Sequence, residues 1–432
     1  MVGVASGAVY QLLNTFFVAR LGAAPTAAVV LMTPVMLSCT VVAQVFGVGV
    51  SSVAARCLGR GDARSASQVA SASLLVGFAV STCIALVAMA LIPVGLSALL
   101  GAGPDVIGYM IEYAVPALLG QAAMSFCIIS GFVVRLEGRN RLSMATQLVG
   151  FGCNALFDVV LIWILGLGVV GAGLGTLISQ LAAAGVYLWS FQRRRATLAV
   201  GLVVPRWRAW VPALLTGAPT GLGLVLSNAV LAEILRASVT LSVEVASSVG
   251  IGLRVYTVAC QLAVGFVLGA QGLLGYWIGK RAAGKTRSVI AWLVAYAFAV
   301  SCLISLAMSL FPAEISSVFS PAGSPNPRLG EVLRILALSV PGIGLVQVAI
   351  TVFQSAGRLA LTYILVLMRS GIFVPILFLL RGPGSSAPDI AWNLAANDIT
   401  AGLFGALSIG ASLLFVRWFI RSRLMVASDA ES

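Results

Sequence analysis

Residues 67 to 99 read SQVASASLLVGFAVSTCIALVAMALIPVGLSAL, a stretch without one charged side chain. About 20 mostly apolar residues are enough for a helix to cross the ~30 Å hydrocarbon core of a bilayer. Because lipid offers the backbone no hydrogen-bond partner, a crossing segment of this kind must satisfy its own polar groups as a helix. The stretch therefore predicts a transmembrane helix.

The composition extends this interpretation to the whole chain of 432 residues. Hydrophobic residues make up 60% of it and charged residues 9%, whereas a soluble domain carries about 25% charged residues. An aqueous fold is therefore excluded. Apolar stretches between charged or Gly/Pro breaks predict an all-α integral membrane protein with twelve transmembrane helices, near residues 1 to 19, 27 to 55, 67 to 99, 105 to 134, 142 to 165, 169 to 191, 208 to 235, 245 to 278, 288 to 311, 329 to 356, 359 to 380 and 388 to 416.

Basic residues cluster in alternate loops between the predicted spans. Most of the 26 Lys and Arg residues fall on the side that holds the loops near 56 to 64, 135 to 141, 193 to 208 and 280 to 287. Short cytoplasmic loops carry such an excess, so we expect a multi-pass protein of the plasma (inner) membrane with both termini in the cytoplasm. The same clustering explains the net charge of +13, and we expect no nucleic-acid partner.

Several classes of chemistry are disfavoured by what the sequence lacks. The chain has no His, which removes imidazole metal ligands and His proton relays, so that a proton carrier must be a carboxylate. The seven cysteines show no CxxC spacing, and we interpret them as small packing residues. No HExxH or GxSxG motif supports a membrane-embedded enzyme. We expect a protein that is not an enzyme and has no metal and no cofactor.

Two stretches of the sequence recur after nearly the same interval. Residues 55 to 61, which close the second span, correspond to residues 275 to 281 at an offset of 220. Residues 112 to 116 correspond to residues 337 to 341 at an offset of 225. Chance similarity among small apolar residues is the alternative. Because each half contains an even number of spans, both halves enter the membrane from the same side.

The repeat predicts two six-helix lobes related by a pseudo-two-fold axis along the membrane normal. Parallel repeats of this kind are typical of alternating-access carriers, in which substrate binds between or within the two bundles. The predicted parts of the chain are an N-terminal lobe, a cytoplasmic basic linker, a C-terminal lobe and a cytoplasmic tail, at residues 1–191, 192–208, 209–420 and 421–432.

Four polar residues of the first lobe are the leading candidates for an ion-coupling site. An ionised side chain at mid-bilayer costs about 2.5 to 3.5 kcal/mol on insertion scales. Asp158 lies on the fifth span, and Asn154 lies one turn earlier on the same face. Helical rise places Thr176 and Asn14 at a similar depth. We expect a proton or cation switch, since desolvation favours the neutral carboxyl and polar neighbours favour the charged one. A satisfied interhelical hydrogen bond is the alternative.

The second lobe offers weaker candidates. Asp398 lies about ten residues into the last span, with Asn393 and Asn397 nearby. Arg254 and Arg369 also fall within spans, where they either pair with carboxylates of other helices or face a wet cavity. The sequence alone does not assign their partners.

Three stretches of the first half together resemble a known family. Residues 137 to 144 read EGRNRLSM, residues 154 to 158 read NALFD, and residues 166 to 176 read GLGVVGAGLGT. Their order and spacing resemble the loop after span four, the Asn-x-x-x-Asp of span five and the Gly-Ala-x-x-x-Thr of span six in the multidrug and toxic compound extrusion (MATE) family. The likeness covers nearly the whole chain.

This resemblance implies two lobes around a V-shaped cavity, and antiport of organic cations, dyes or drugs against protons or sodium. The family's cation site would map onto Asn154, Asp158 and Thr176. The sequence departs from the family where Asn14 replaces a common aspartate, and where the proline of span one has no counterpart. We find no acidic residue in span seven or ten at the depth of the sodium site of some C-terminal lobes, which favours protons over sodium.

We therefore expect a secondary active transporter that couples the export of small organic, often cationic or drug-like molecules to a cation gradient. The coupling ion is H⁺ or Na⁺, with H⁺ favoured. The expected partners of the protein are small-molecule substrates and membrane lipid, and we expect a monomer. A lipid-linked saccharide flippase of the same superfamily and an uncoupled membrane scaffold are the alternatives.

Overall fold

The computed structural model describes residues 22–96, 104–193, 198–201, 206–318, 327–370 and 386–428. Within these ranges the chain is helical and contains no β-strand. Ten helices are long and apolar enough to cross a membrane, and they coincide with ten of the twelve predicted spans. The predicted span at 1 to 19 lies outside the described residues, and the one at 359 to 380 is described only to residue 370. The predicted all-α membrane fold is confirmed.

The chain divides into two compact units, Met1–Gly221 and Leu222–Ser432. The first unit contains α1 (Ala23–Gly59), α2 (Ala63–Leu91), α3 (Pro104–Leu136), α4 (Asn140–Asp158) and α5 (Gly168–Gln192). Helix α6 (Trp207–Leu241) contains the boundary between the units. The second unit continues with α7 (Val243–Gly279), α8 (Ala283–Leu310), α9 (Pro312–Val318), α10 (Pro327–Ala337), α11 (Val340–Ser355), α12 (Leu359–Arg369) and α13 (Ala387–Ser428). The predicted lobe limits at 191 and 209 and the place of the linker stay predictions.

Helix α3 lies at the centre of the first unit, where it packs against α1, α2 and α5. Lipid is as apolar as the helix faces, so close van der Waals packing of small residues holds such helices together. Gly173 of α5 shows how close the packing is, because a Cβ atom there would lie 2.6 Å from Cγ of Pro116 in α3. The small residues of α5 are therefore needed for contact with α3.

Helix α11 has the central place in the second unit. All of its residues except Pro341 and Leu345 are buried, and it packs against α7, α8 and α13. A helix that is apolar on nearly every face is expected at such a position. One of its polar side chains connects it to α7, since Gln271 Nε2 of α7 donates to Gln354 Oε1 at 3.3 Å.

The first predicted correspondence between the halves is confirmed in the backbone. Helix α1 ends at Gly59 and is followed by left-handed Gly61 at φ 84°, whereas α7 ends at Gly279 and is followed by left-handed Arg281 at φ 56°. The offset is 220 in both comparisons. The two turns differ in the helix cap that follows them. In the first half, Asp62 caps the start of α2, and hydrogen bonds from the side chain and backbone of Ser65 lower the pKa of its carboxyl.

The second correspondence, at an offset of 225, differs in local structure. Pro116 lies inside the continuous helix α3. Pro341 instead lies in the first turn of α11, after a break at Leu338 and Ser339, where its missing N–H costs the helix no hydrogen bond. The predicted tenth span is thus built from two consecutive helices, α10 and α11, rather than from one.

The contact between α3 and α5 gives a test of this packing. Gly173→Ala places a methyl group against Pro116, so the two helices must separate, and we expect a loss of about 1 to 3 kcal/mol of stability. Thermal unfolding in detergent, followed by tryptophan fluorescence, measures the change. Gly185→Ala in the same helix is the control, since its Cβ would meet nothing within 4 Å. An equal effect of both substitutions would contradict this account of the interface.

Candidate functional site

The turn between α4 and α5 determines where the site residues lie. Helix α4 ends at Asp158 and continues as a π-helical turn over Val159–Ile164. A π-helical turn changes the direction of the side chains that follow it and is frequent at functional sites. Two left-handed glycines, Gly166 at φ 66° and Gly168 at φ 54°, then reverse the chain. Helix α5 therefore returns alongside α4 and presents Thr176 to Asp158 and its neighbours.

Close packing of glycine against backbone holds this hairpin together. A Cβ atom at Gly171 would lie 2.9 Å from the carbonyl oxygen of Leu161 in the π-helical turn. The N–H of Leu167 donates to the same carbonyl at 2.9 Å. The backbone of α5 thus lies directly on the turn that follows Asp158, and the depth of Thr176 is fixed by it.

Asp158 and Asn154 are both buried, at 2% and 1% exposed. The amide of Asn154 satisfies both of its groups when its nitrogen donates to Asp158 Oδ2 at 3.0 Å and its oxygen accepts from the N–H of Thr176 at 3.2 Å. This arrangement suits an ionised Asp158, because a carboxylate only accepts hydrogen bonds. The structure therefore brings together three of the four predicted residues, from two helices. Asn14 lies outside the described residues.

A half-turn of the same amide suits the protonated carboxyl. In that orientation the oxygen of Asn154 faces Asp158 Oδ2, and its nitrogen faces the N–H of Thr176, with Thr176 Oγ1 as an acceptor at 3.5 Å. A protonated Asp158 then has an acceptor for its O–H. Asn154 can therefore accept from a protonated Asp158, but it then loses its hydrogen bond from the N–H of Thr176.

The second oxygen of Asp158 has a different environment. Oδ1 is buried and has no hydrogen-bond partner among the described residues. A Cβ atom at Gly175 would lie 2.5 Å from it, so only a glycine hydrogen fits beside the carboxylate. In the described part of the chain, ion pairs join Arg139 to Glu137 and Arg328 to Glu244, and neither involves Asp158. A charge without an ion pair in such a place is costly, which favours its neutralisation by a proton or cation.

The end of the first unit opposite the glycine-rich turn contains the quoted EGRNRLSM stretch. Glu137, whose side chain is 1% exposed, accepts a hydrogen bond from the N–H of Leu198 at 2.9 Å. Arg139 Nη1 approaches Glu137 Oε2 at 3.5 Å, and its Nη2 donates to Ser190 Oγ at 2.8 Å. Through these hydrogen bonds, the loop connects the chain after α5 to the ends of α3 and α5. This part of the motif is structural.

The secondary candidates of the second unit are partly brought together. Asp398 is 2% exposed and accepts hydrogen bonds from Tyr256 and Asn397. Arg369 Nη1 donates to Gln347 Oε1 at 2.7 Å. Two other candidates take no part in these bonds: Asn393 is buried in α13, and Arg254 lies exposed on α7.

Sequence analysis missed two residues that shape these sites. Gly175 is one small residue among many in α5, and only the measured distance to Asp158 distinguishes it. Tyr256 is 142 positions from Asp398 in the chain, so the sequence does not show that the two side chains meet. A tyrosine inside a predicted span is the signal that was available, because its hydroxyl needs a partner there.

Comparisons with known proteins bear on the family and the fold of the chain. A family model described as MatE matches residues 1–160 and 219–379. The multidrug export protein MepA of Staphylococcus aureus (strain MRSA252) is 24% identical over 440 residues, which cover 99% of this chain and 93% of that protein. The chain is thus similar to this relative over the full length of its fold.

Two solved structures share the fold. A substituted form of the Vibrio cholerae MATE transporter VcmN has a TM-score of 0.87 at 18% identity, covering 95% of this chain and 94% of that one. A MOP superfamily transporter from Pyrococcus furiosus, whose description reports a binding pocket of reverse polarity, has a TM-score of 0.87 at 22% identity, covering 96% and 94%.

The burial of Asp158 without an ion pair gives a prediction on stability. Asp158→Asn keeps the size of the side chain and removes its charge, so we expect the unfolding temperature in detergent to rise at alkaline pH. The expected gain is about 1 to 3 kcal/mol, the cost of a buried carboxylate that is ionised without an ion pair. Asp105→Asn, at the exposed start of α3, is the matched control and should change little. A loss of stability in Asp158→Asn would contradict this interpretation of the site.

Proposed function

The chain belongs to the MatE family, whose members are transporters and not enzymes, and we propose that it exports small organic, often cationic or drug-like molecules by antiport against protons. The similarity to a multidrug export protein over 99% of the chain supports the substrate class. The ten apolar helices make it a multi-pass membrane protein. We also propose cytoplasmic termini and the plasma membrane, from the distribution of basic loops. We propose a monomer as well.

The observation that carries the proton-coupling proposal is the amide of Asn154. It has a hydrogen-bonding arrangement for the ionised Asp158 and another for the protonated one, both within 3.5 Å. In the first arrangement the amide oxygen accepts from the N–H of Thr176, whereas in the second the amide nitrogen faces that N–H and has the hydroxyl of Thr176 as its acceptor. Proton binding at Asp158 therefore changes the contact between α4 and α5, and a change of contact can shift the population of two conformations.

The direction of transport follows from where the proton is available. A proton from outside neutralises Asp158 and favours the conformation that releases substrate outward. Loss of that proton to the cytoplasm restores the charged carboxylate, which favours binding of an organic cation at the inner side. One proton crossing roughly 150 mV releases about 3.5 kcal/mol, at about 2.3 kcal/mol per charge per 100 mV. That supports a gradient of a few hundred-fold for a neutral solute.

Transport in proteoliposomes tests this proposal. With an imposed pH gradient, we expect the wild type to drive uptake of fluorescent organic cations, and Asp158→Asn to reduce the initial rate at least about tenfold, because the proton site is lost. Asp105→Asn serves as the control with an intact site. A sodium gradient alone, at equal pH on both sides, should drive little transport.

Three results would count against the proposal. Equal pH-driven transport by Asp158→Asn and wild type would remove Asp158 from the coupling. Transport driven by sodium alone would assign the site to that ion. Movement of a lipid-linked saccharide pyrophosphate but of no organic cation would favour the flippase alternative.

A further inference from the structure

The second unit contains a buried carboxylate that the proposed coupling at Asp158 does not use. Asp398 lies in α13, about eleven residues from the start of that helix, and is 2% exposed. Its Oδ2 accepts a hydrogen bond from the hydroxyl of Tyr256 in α7 at 2.5 Å. Its Oδ1 accepts one from Nδ2 of Asn397 at 3.2 Å. An aspartate at such a place within a transmembrane helix is a functional candidate by default.

The groups around Asp398 stabilise its charge only in part. The titratable or charged groups that act on it are Tyr256 and Cys260 of α7 and Arg369 of α12. Arg369 acts on the carboxylate electrostatically, but its guanidinium donates to Gln347. Neither of the ion pairs found among the described residues includes Asp398. The carboxylate is thus held by neutral hydrogen-bond donors, to which the hydroxyl of Ser339 at the break between α10 and α11 also contributes.

The amide of Asn397 supplies an independent observation. The residue is 1% exposed, and its Oδ1 is buried without a hydrogen-bond partner among the described residues, although its Nδ2 donates to Asp398. A half-turn of the amide would bring that oxygen toward Asp398, where it would accept from a protonated carboxyl. The amide of Asn397 therefore has one orientation for the ionised Asp398 and another for the protonated one. Asn154 has the same relation to Asp158 in the first unit.

A packing contact places Asp398 within the repeat. In the first unit, a Cβ atom at Gly120 of α3 would lie 3.2 Å from the carbonyl carbon of Thr176. In the second unit, a Cβ atom at Gly342 of α11 would lie 2.5 Å from the carbonyl oxygen of Asp398. From the first unit to the second, both residues of this contact shift by 222 positions, from Gly120 to Gly342 and from Thr176 to Asp398. By this contact, Asp398 occupies the position in the second unit that Thr176 occupies in the first.

We propose that Asp398, Asn397 and Tyr256 form a second proton-binding site, so that each unit carries one exchangeable proton. Its meaning for transport rests on the proposed function, but its existence does not. The carboxylate of the first unit comes from the helix before the glycine-rich turn, and that of the second unit comes from the last helix. With two protons per cycle, a pH gradient of one unit supports a substrate gradient of about 100-fold for a neutral solute instead of about tenfold.

Infrared difference spectroscopy of the purified protein in detergent tests the site without transport. When the pH is lowered over a range in which exposed aspartates stay ionised, we expect two carboxylic acid C=O bands in the wild type. Asp158→Asn should remove one band and Asp398→Asn the other. Asp389→Asn, at the exposed start of the same helix α13, is the matched control and should keep both. A spectrum of Asp398→Asn identical to that of the wild type would overturn the proposal.

A milder variant covers the case in which Asp398→Asn does not fold. Tyr256→Phe keeps the ring and removes the hydroxyl that stabilises the charged carboxylate, so the Asp398 band should persist to more alkaline pH. The Asp158 band should stay where it is. An unchanged midpoint for both bands in Tyr256→Phe would overturn the proposal, as would loss of the Asp398 band on adding sodium at constant pH. If Asp158→Asn transports normally while the Asp398 band behaves as expected, the proposed function fails and this site stands.

Discussion

A carboxylate held out of water without an ion pair is the constraint on which the rest of this structure depends. Lipid and close-packed helices cannot solvate a charge, so Asp158 is stable only through the groups that reach it. One of its oxygens meets the amide of Asn154, and the other meets the backbone at Gly175 without a hydrogen bond. The missing hydrogen bond at one oxygen of Asp158 costs stability, and it also makes the uptake of a proton favourable.

Small residues and a π-helical turn in the surrounding fold position the residues of this site. Glycines of α5 let that helix lie against Pro116 of α3 and against the turn after Asp158. The π-helical turn over Val159–Ile164 and the left-handed glycines after it determine which residue of α5 faces the carboxylate. Larger side chains at these places would separate α4 from α5, and Thr176 would no longer reach Asn154.

Much of the architecture and part of the site could be predicted from the sequence. Hydropathy locates spans well, because the thickness of the bilayer sets the length of each helix. Asn154 and Asp158 were found together because residues four apart share a helix face. The bond from Tyr256 to Asp398, the break before α11 and the role of Gly175 could not be found in this way. Each depends on how separate helices pack, and hydropathy carries no information on packing partners.

Proton release on substrate binding tests the central claim most directly. An organic cation such as a fluorescent dye is added to the purified protein in weakly buffered detergent solution, and a pH indicator reports the protons released. The account predicts that Asp158→Asn releases about one proton fewer per protein on binding than the wild type does, and that Asp105→Asn releases as many as the wild type. Substrate binding by the wild type without proton release, or an equal release in Asp158→Asn, would contradict it.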